Sequence, residues 1–162
     1  MVLRNQVEWA LHCCGVLSGL GPGEYVGTKK LAEFHGVPKE YLSKALQALA
    51  TAGIIEGTLG PTGGYRLAKP AKSISFLQIV EAIEGRKQTF ECSEIRGNNP
   101  CLGKNEKKFA RVCGIAKVMY RADEAWRKEL RAMTLEDLGQ VLTEEIPAAQ
   151  MRDNMEWLTT KK

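Results

Sequence analysis

Residues 28–69 constrain the fold of this chain more than any other segment. Gly36, Val37 and Pro38 interrupt a helical pattern, because glycine ends a helix in the left-handed conformation and a residue before proline avoids the α region. Thr28 is placed to cap the first helix with its side-chain oxygen. Beyond the turn, apolar residues return at the spacing of one helix face: Leu42, Ala45, Leu46 and Leu49. The segment therefore predicts two helices joined by a tight turn.

A glycine-rich hairpin follows the second predicted helix. Residues 54–56 and 65–67 have the composition of strands, and the connection between them is GTLGPTGG. Glycine and proline in such a connection form a turn whose backbone can approach a phosphate chain closely. Two helices, a tight turn and a hairpin together indicate a winged helix-turn-helix, a mainly α fold with a small β wing. The alternative is a plain helical subdomain with a solvent-exposed hairpin.

The outward face predicted for the second helix is polar, small and partly basic, which suits entry into the major groove of double-stranded DNA. We predict groove contacts from Ser43, Lys44 and Gln47. The other predicted DNA contacts lie near the phosphate backbone and in the wing: Lys29, Lys30, Lys39, Tyr41, Thr62, Gly63, Gly64 and Tyr65. Tyr65 is equally a candidate for the core.

The DNA prediction depends on architecture and not on charge. The chain carries a net charge of +4, but residues 1–70 hold 7 basic and 5 acidic side chains, a net of only +2. Its 44% hydrophobic and 26% charged residues are typical of an ordinary globular protein. No apolar run approaches the ~20 residues that a membrane helix needs. We therefore expect no membrane partner.

The five cysteines indicate a reducing compartment. The N-terminal residues lack the features of a secretory signal, so we expect a cytoplasmic protein. There, cysteine serves more often as a metal ligand, reactive thiol or core residue than in a disulfide. The sequence lacks the phosphate-binding glycine motif, the nucleophile elbow and the HExxH motif. We therefore expect that the protein is not an enzyme and has no small-molecule substrate.

The pattern of the chain predicts four regions. Residues 1–85 form the DNA-binding domain, which begins with a helix over residues 3–20. Residues 86–105 form a polar loop, and residues 106–133 form a long helix. Residues 134–162 form a short helix to about residue 142 and then a loose tail or small packing segment. The long helix has a narrow apolar seam broken at Asp123, which predicts a symmetric homodimer.

Three cysteines lie in or after the polar loop. Cys92, Cys101 and Cys113 are separated by eight and eleven intervening residues, and the absence of a CxxC pair argues against a zinc ribbon. An iron–sulfur cluster, zinc, redox thiols and inert cysteines all remain open at this point. Glu8 and His12 are four residues apart on one helix face, so they form either a surface pair or a pair of metal ligands.

The run LAEFHGVPKEYLSKALQALATAGIIEGTLGPTGGYRLAKP, followed by ISFLQIVEAIEG, closely resembles the Rrf-two family of bacterial transcription regulators. The resemblance implies a dimeric winged-helix regulator whose DNA affinity responds to an iron–sulfur cluster. VEWALHCC, ECSEIR and VCGIAKVM resemble the RsrR-type subgroup. That implies a 2Fe–2S cluster, with Cys92 and Cys113 from one chain and Glu8 and His12 from the other. With Cys101 as a ligand, a 4Fe–4S cluster becomes plausible.

Trp9 lies between the two implied N-terminal ligands. We hypothesise that it relays the state of the cluster to the recognition helices. The wing departs from the family pattern, because GTLGPTGG contains no basic residue. The rival interpretation is a cluster-free winged-helix regulator that uses Cys92, Cys101 or Cys113 as a thiol switch.

Overall fold

The computed structural model describes residues 2–60, 63–103 and 109–160. Within them the chain forms seven α-helices and a two-stranded antiparallel sheet. This confirms the mainly α fold with a small β wing. The elements are α1 (Asn5–Ser18), α2 (Thr28–His35), α3 (Lys39–Thr51), β1 (Ile55–Thr58), β2 (Gly64–Leu67), α4 (Phe76–Glu84), α5 (Gly114–Ala132), α6 (Leu135–Glu145) and α7 (Ala148–Thr159).

The chain divides into two compact units. We call Lys87–Glu129 the cysteine unit, and Val2–Arg86 together with Leu130–Lys162 the winged unit. The cysteine unit contains the loop and most of α5, while the winged unit contains the other helices and the hairpin. Among the described residues, no helix combines the length and apolarity needed to cross a membrane.

The turn between α2 and α3 follows the predicted geometry. Gly36 has φ 63°, a left-handed conformation that costs glycine little. The N–H of Val37 donates a 3.0 Å hydrogen bond to the carbonyl oxygen of Ala32, which closes the end of α2. The four apolar residues predicted for the inner face of α3 are all buried. Thr28, however, is the first residue of α2 and makes no capping hydrogen bond, so the predicted cap is wrong.

Helix α1 packs against α3 and α4 through a buried apolar face. Cys13 and Cys14 belong to that face, as expected for cysteines that fill the core. Burial raises the pKa of Cys13 to about 12 and that of Cys14 further still. Both thiols therefore stay protonated, and neither is suited to bind metal.

The wing is held by two glycines that leave no room for a side chain. A Cβ atom on Gly63 would lie 2.3 Å from the carbonyl oxygen of Thr58, and one on Gly64 would lie 2.5 Å from the carbonyl carbon of Val26. This close approach lets β2 pair with β1 on one side and with Val26 on the other. Tyr65 forms that second pairing through hydrogen bonds of 2.9 and 3.1 Å with Val26.

Helix α5 begins at Gly114, later than the predicted start at residue 106. Residues 109–113 are not helical, and residues 104–108 lie outside the described part of the chain. The break in the apolar seam has a structural reason. Asp123 is buried and accepts hydrogen bonds from Arg127 Nε at 2.9 Å and from the N–H of Thr89 at 3.3 Å. It fixes the start of the loop to α5.

The C-terminal region is more ordered than the sequence predicted. Thr134 and Asp137 cap α6 reciprocally, and α6 extends to Glu145. The segment beyond Pro147 is the helix α7, which packs against α2. Of the two predicted alternatives for this segment, a loose tail is therefore wrong and a packing segment is confirmed.

Candidate metal centre and DNA-binding face

Glu8 and His12 face one groove of the winged unit. The groove has a volume of about 810 Å³ and is lined by residues of α1, α2, α6 and α7. Its walls are mainly apolar, with Leu11, Leu142 and Met155 among them. The side chains of Glu8 and His12 are exposed, so their carboxylate and imidazole are accessible from the groove. The structure thus brings these two candidate ligands together.

His35 lies beside His12, a contact that no sequence pattern predicted. The two imidazole rings are 5.7 Å apart between centroids, and the Phe34 ring meets His35 edge-on at 5.0 Å. His35 Nε2 is buried and has no hydrogen-bond partner among the described residues. Burial and the neighbouring His12 lower the pKa of His35. His35 ends α2, so this contact joins the groove to the helix-turn-helix.

Trp9 is half-buried on α1 and is not among the residues that line the groove. Its neighbour Ala10 is buried in the core beneath α1. Trp9 therefore lies between the groove side and the packed side of this helix.

Cys113 immediately precedes α5, where free backbone N–H groups favour negative charge. The N–H groups of Ala116 and Ile115 donate hydrogen bonds to its sulfur and hold the pKa of Cys113 below its ordinary value. Burial and the negative charge of Glu94 oppose this effect, and the positive charge of Arg96 adds to it. Cys113 is therefore biased towards the thiolate, the form that binds metal.

Cys92 and Cys113 share Arg96 as a neighbour. The thiols of both residues contribute to raising the pKa of the Arg96 guanidinium, after the larger effect of its hydrogen bond with Glu94. Cys92 is half-buried, whereas Cys101 is exposed. The backbone N–H of Cys101 donates to Asn99 Oδ1 at 3.0 Å, within a turn of the loop.

The four candidate ligands form two separate pairs. Cys92 and Cys113 belong to the cysteine unit, and Glu8 and His12 belong to the winged unit. Over the described ranges 2–60, 63–103 and 109–160, no group of three or more His, Cys, Asp or Glu residues could hold a metal ion.

The predicted recognition surface of α3 is available for contact. Lys39, Tyr41, Lys44 and Gln47 are exposed, and Ser43 is half-buried between them. The ammonium of Lys44 lies 5.8 Å from the centre of the Tyr41 ring, which is 56% exposed. Polar and basic groups thus lie along one face of α3 opposite its apolar stripe.

The remaining predicted DNA contacts differ in their surroundings. Lys29 is exposed, whereas Lys30 donates hydrogen bonds to the carbonyl oxygens of Trp157 at 2.7 Å and of Leu158 at 3.2 Å. Gly63, Gly64 and Tyr65 are half-buried in the wing, and Thr62 lies outside the described residues. Arg66, which was not among the predicted DNA contacts, is paired with Glu56 at 2.6 Å within the hairpin.

Comparison with known proteins agrees with this architecture. The sequence model of the family described as Rrf2, iron-dependent transcriptional regulator, matches residues 3–140. The chain is 34% identical over 118 residues to the protein rrf2 of Nitratidesulfovibrio vulgaris, and the match covers 73% of each chain. It is 32% identical over 138 residues to the transcriptional regulator NsrR of Geobacillus kaustophilus, covering 85% of this chain and 89% of NsrR.

A solved structure shows the same fold. The chain resembles IscR of T. potens with a TM-score of 0.70 and 20% sequence identity, and the match covers 91% of this chain and 93% of IscR. The family match spans the winged helix-turn-helix, the cysteine loop and α5, and ends within α6. The chain therefore belongs to the Rrf2 family, the Rrf-two family of the sequence resemblance, and is a DNA-binding transcriptional regulator and not an enzyme.

Proposed function

We propose that this protein is a cytoplasmic, homodimeric regulator whose affinity for promoter DNA is controlled by a 2Fe–2S cluster. The proposed ligands are Cys92 and Cys113 of one chain and Glu8 and His12 of the other. The observation that carries this proposal is the pairing of the candidate ligands: Glu8 and His12 line one groove, and Arg96 ties together the segments that hold Cys92 and Cys113.

The chemistry of the donors fits an iron–sulfur cluster. Cysteine thiolates are the usual ligands of such clusters, and imidazole replaces them in some. Cys113 is biased towards the thiolate by two backbone N–H groups, and Arg96 places a positive charge near it. His12 and Glu8 offer an imidazole and a carboxylate on one exposed helix face. When bound, a cluster with a neutral imidazole ligand has a raised reduction potential and can change oxidation state at moderate potentials.

The contacts of α1 give the ligand pair a route to the recognition helix. Helix α1 packs directly on α3, and Gln6 Nε2 contacts the carbonyl oxygen of Tyr41 at 3.4 Å. A shift of Glu8 and His12 would therefore move the surface against which α3 is packed. We propose Trp9 as the relay residue, since it lies on α1 beside Glu8. Half-sites one turn of DNA apart, about 34 Å, make a dimer sensitive to a tilt of its recognition helices.

The exposed apolar face of α5 supports a dimer. Ile115, Val118 and Met119 are 70%, 56% and 37% exposed and occupy one face of the helix. A row of exposed apolar side chains on a helix of 19 residues is typical of a subunit contact. We propose that this face meets its copy in the partner. Sedimentation at micromolar concentration tests the proposal, and a monomer would contradict it.

For DNA binding we propose groove contacts by Ser43, Lys44 and Gln47, with Lys39 and Tyr41 near the backbone. Lys29 contributes a phosphate contact from α2. The wing residues Thr62, Gly63, Gly64 and Tyr65 complete the set, although Gly63 and Gly64 also have a packing role. Lys30 retains the proposed phosphate role only if its ammonium leaves the end of α7.

An anaerobic purification tests the cofactor. Iron and sulfide assays and the visible spectrum are compared for the wild type and for Cys92→Ala, Cys101→Ala and Glu8→Ala. We expect two irons per cluster, a loss of colour in the Cys92 variant and retention in the Cys101 variant. Loss of the cluster in Cys101→Ala would instead favour a 4Fe–4S centre. Equal DNA affinity of the oxidised, reduced and cluster-free forms at one salt concentration would contradict the control mechanism.

The second candidate function is a thiol switch without a cluster. The lowered pKa of Cys113 favours it, because a thiolate is the reactive form. A colourless protein that still binds DNA, and that loses its response after thiol alkylation, would establish this alternative.

A further inference from the structure

One side chain joins the two segments that carry Cys92 and Cys113. Arg96 Nη2 donates a 2.6 Å hydrogen bond to Glu94 Oε2, and its Nε pairs with the other carboxylate oxygen. The same Nη2 donates a 2.9 Å hydrogen bond to the carbonyl oxygen of Arg111. Glu94 follows Cys92 by two residues, and Arg111 precedes Cys113 by two.

The orientation of this guanidinium is fixed on a third side. Its central carbon lies 4.2 Å from the centre of the Phe109 ring, within the distance of a cation–π contact. The Arg96 side chain is 32% exposed, so the group is partly sheltered from solvent. A planar fork that binds a carboxylate, a carbonyl oxygen and a ring is a use of arginine that lysine cannot reproduce.

The backbone at Glu94 shows that this turn is specifically shaped. Among the described residues, Glu94 is the only residue other than glycine with a positive φ, 53°. The left-handed region is uncommon for such residues, so tertiary contacts must maintain it. In this conformation the carboxylate of Glu94 accepts two hydrogen bonds from Arg96. The short 3₁₀ helix that holds Arg96, Ile95–Asn98, starts directly after this residue.

We propose that Arg96 is a positioning residue for the Cys92–Cys113 pair: it ties the two cysteine segments together and places a fixed positive charge between them. The pair can then bind metal as two thiolates whose negative charges are partly offset. The inference rests on the proposed function only in naming an iron–sulfur cluster as the group that this pair holds. It predicts effects on metal affinity and on reduction potential that can be separated.

The first test uses Cd²⁺ and the metal-free protein, so it needs no cluster. In a Cys101→Ser background, thiolate-to-metal absorbance reports Cd²⁺ binding by the remaining loop pair. We expect Arg96→Gln to bind Cd²⁺ about 10–100-fold more weakly, the usual effect of losing a group that supports metal ligands. Arg96→Lys keeps the charge and loses the fork, so its Cd²⁺ affinity should lie between those of the wild type and Arg96→Gln.

Arg86→Gln is the matched control. It removes the same charge from an arginine of the winged unit whose side chain is 86% exposed, and its Cd²⁺ affinity should equal that of the wild type. Circular dichroism shows whether each variant is folded. Equal Cd²⁺ affinity of Arg96→Gln and Arg86→Gln would overturn the proposal.

The second test measures the midpoint potential of the cluster-bound protein. Reduction adds a negative charge, so Arg96→Gln should make the potential more negative, while Arg96→Lys should leave it near the wild-type value. Equal shifts of the midpoint potential in the two variants would indicate a purely structural role and would overturn the electrostatic part of the proposal. If the wild type assembles no cluster, the proposed function fails, whereas the Cd²⁺ comparison still decides the role of Arg96.

Discussion

The ammonium of Lys30 lies 5.4 Å from the centre of the Trp157 ring and donates a 2.7 Å hydrogen bond to the carbonyl oxygen of the same residue. It also donates to the carbonyl oxygens of Leu158 and Thr160 at the end of α7. The Trp157 ring in turn lies 5.9 Å from that of Phe34 on α2. A side chain of the helix-turn-helix therefore caps the C-terminal helix, since cations stabilise that end of a helix.

Removing this cap should loosen α7 with little effect on DNA binding. We expect Lys30→Ala to cost about 1 kcal/mol, the usual size of a cation's contribution at a helix C-terminus, and to speed amide exchange in α7. Lys29→Ala is the matched control. It removes an exposed neighbour of equal charge. This variant should reduce the slope of log affinity for DNA against log salt concentration by about 1 and leave α7 unchanged. A reduced salt dependence of DNA affinity in Lys30→Ala would instead show that Lys30 contacts DNA.

Asp123 should hold the loop against α5 in a pH-dependent manner. Burial alone would raise the pKa of Asp123, but hydrogen bonds from Arg127 and Thr89 lower it overall. A carboxyl whose pKa is lowered on folding stabilises the fold above its unfolded pKa of about 3.9, and this stabilisation is lost as the pH falls through the folded value. The stability of the cysteine unit should therefore fall as the pH drops through the folded pKa of Asp123, whereas with Asn at this position it should lack this pH-dependent contribution.

The variant Asp123→Asn tests this anchor at neutral pH. It keeps the size of the side chain and removes the charge that Arg127 binds, so we expect a loss of about 1.5–3 kcal/mol, the range for a hydrogen bond to a charged group. Hydrogen exchange at the amide of Thr89 should become faster, because that amide donates to the carboxylate. Unchanged exchange at Thr89 would contradict the anchoring role.

Local sequence patterns were sufficient to predict the winged helix-turn-helix. The apolar stripe of α3 and the turn at Gly36 depend on residues that are close in sequence, and both are confirmed. Thr28 shows the limit of this approach. It has a capping side chain, yet α2 starts one position too early for it to cap, and Gly27 takes that place.

The features that the sequence did not predict depend on distant contacts. Helix α7 is capped by Lys30, and the His12–His35 contact joins α1 to α2. The start of α5 was predicted too early because the apolar spacing of this helix continues back to Phe109. In the structure the helix begins at Gly114, and backbone N–H groups of its first turn donate hydrogen bonds to the sulfur of Cys113. None of these partners is visible from spacing along the chain.

Gly64 and Gly139 should respond in opposite directions to alanine. At Gly64 a methyl group would meet the backbone of Val26 at 2.5 Å, so we expect Gly64→Ala to destabilise the wing by about 1–3 kcal/mol. At Gly139, within α6, a Cβ atom would have no neighbour within 4 Å. Gly139→Ala should therefore stabilise the protein by about 0.5–1 kcal/mol. Thermal unfolding of both variants checks the prediction, which equal shifts would contradict.

Cys113 should be alkylated at a lower pH in the folded, metal-free protein than in the unfolded chain. The N–H groups of Ala116 and Ile115 lower its pKa, so its thiolate forms at a lower pH than in an unfolded chain, where the value is about 8.5. Cys13, whose pKa is raised to about 12 by burial, should not react. Iodoacetamide labelling followed by peptide mass mapping across a pH series measures this. Labelling in urea is the control: there the pH dependence of Cys113 should move upward and Cys13 should become reactive.

A charge on the exposed apolar face of α5 should abolish the dimer. Val118 is 56% exposed and lies beside Met119 on that face, so Val118→Glu would bring two carboxylates together across a two-fold interface and remove apolar contact. Sedimentation velocity at micromolar concentration should show a monomer. Lys117→Gln changes the charge by the same amount at the adjacent exposed position and should remain a dimer. Because each proposed cluster needs ligands from two chains, the Val118 variant should also fail to retain iron, although Cys92, Cys113, Glu8 and His12 are all present.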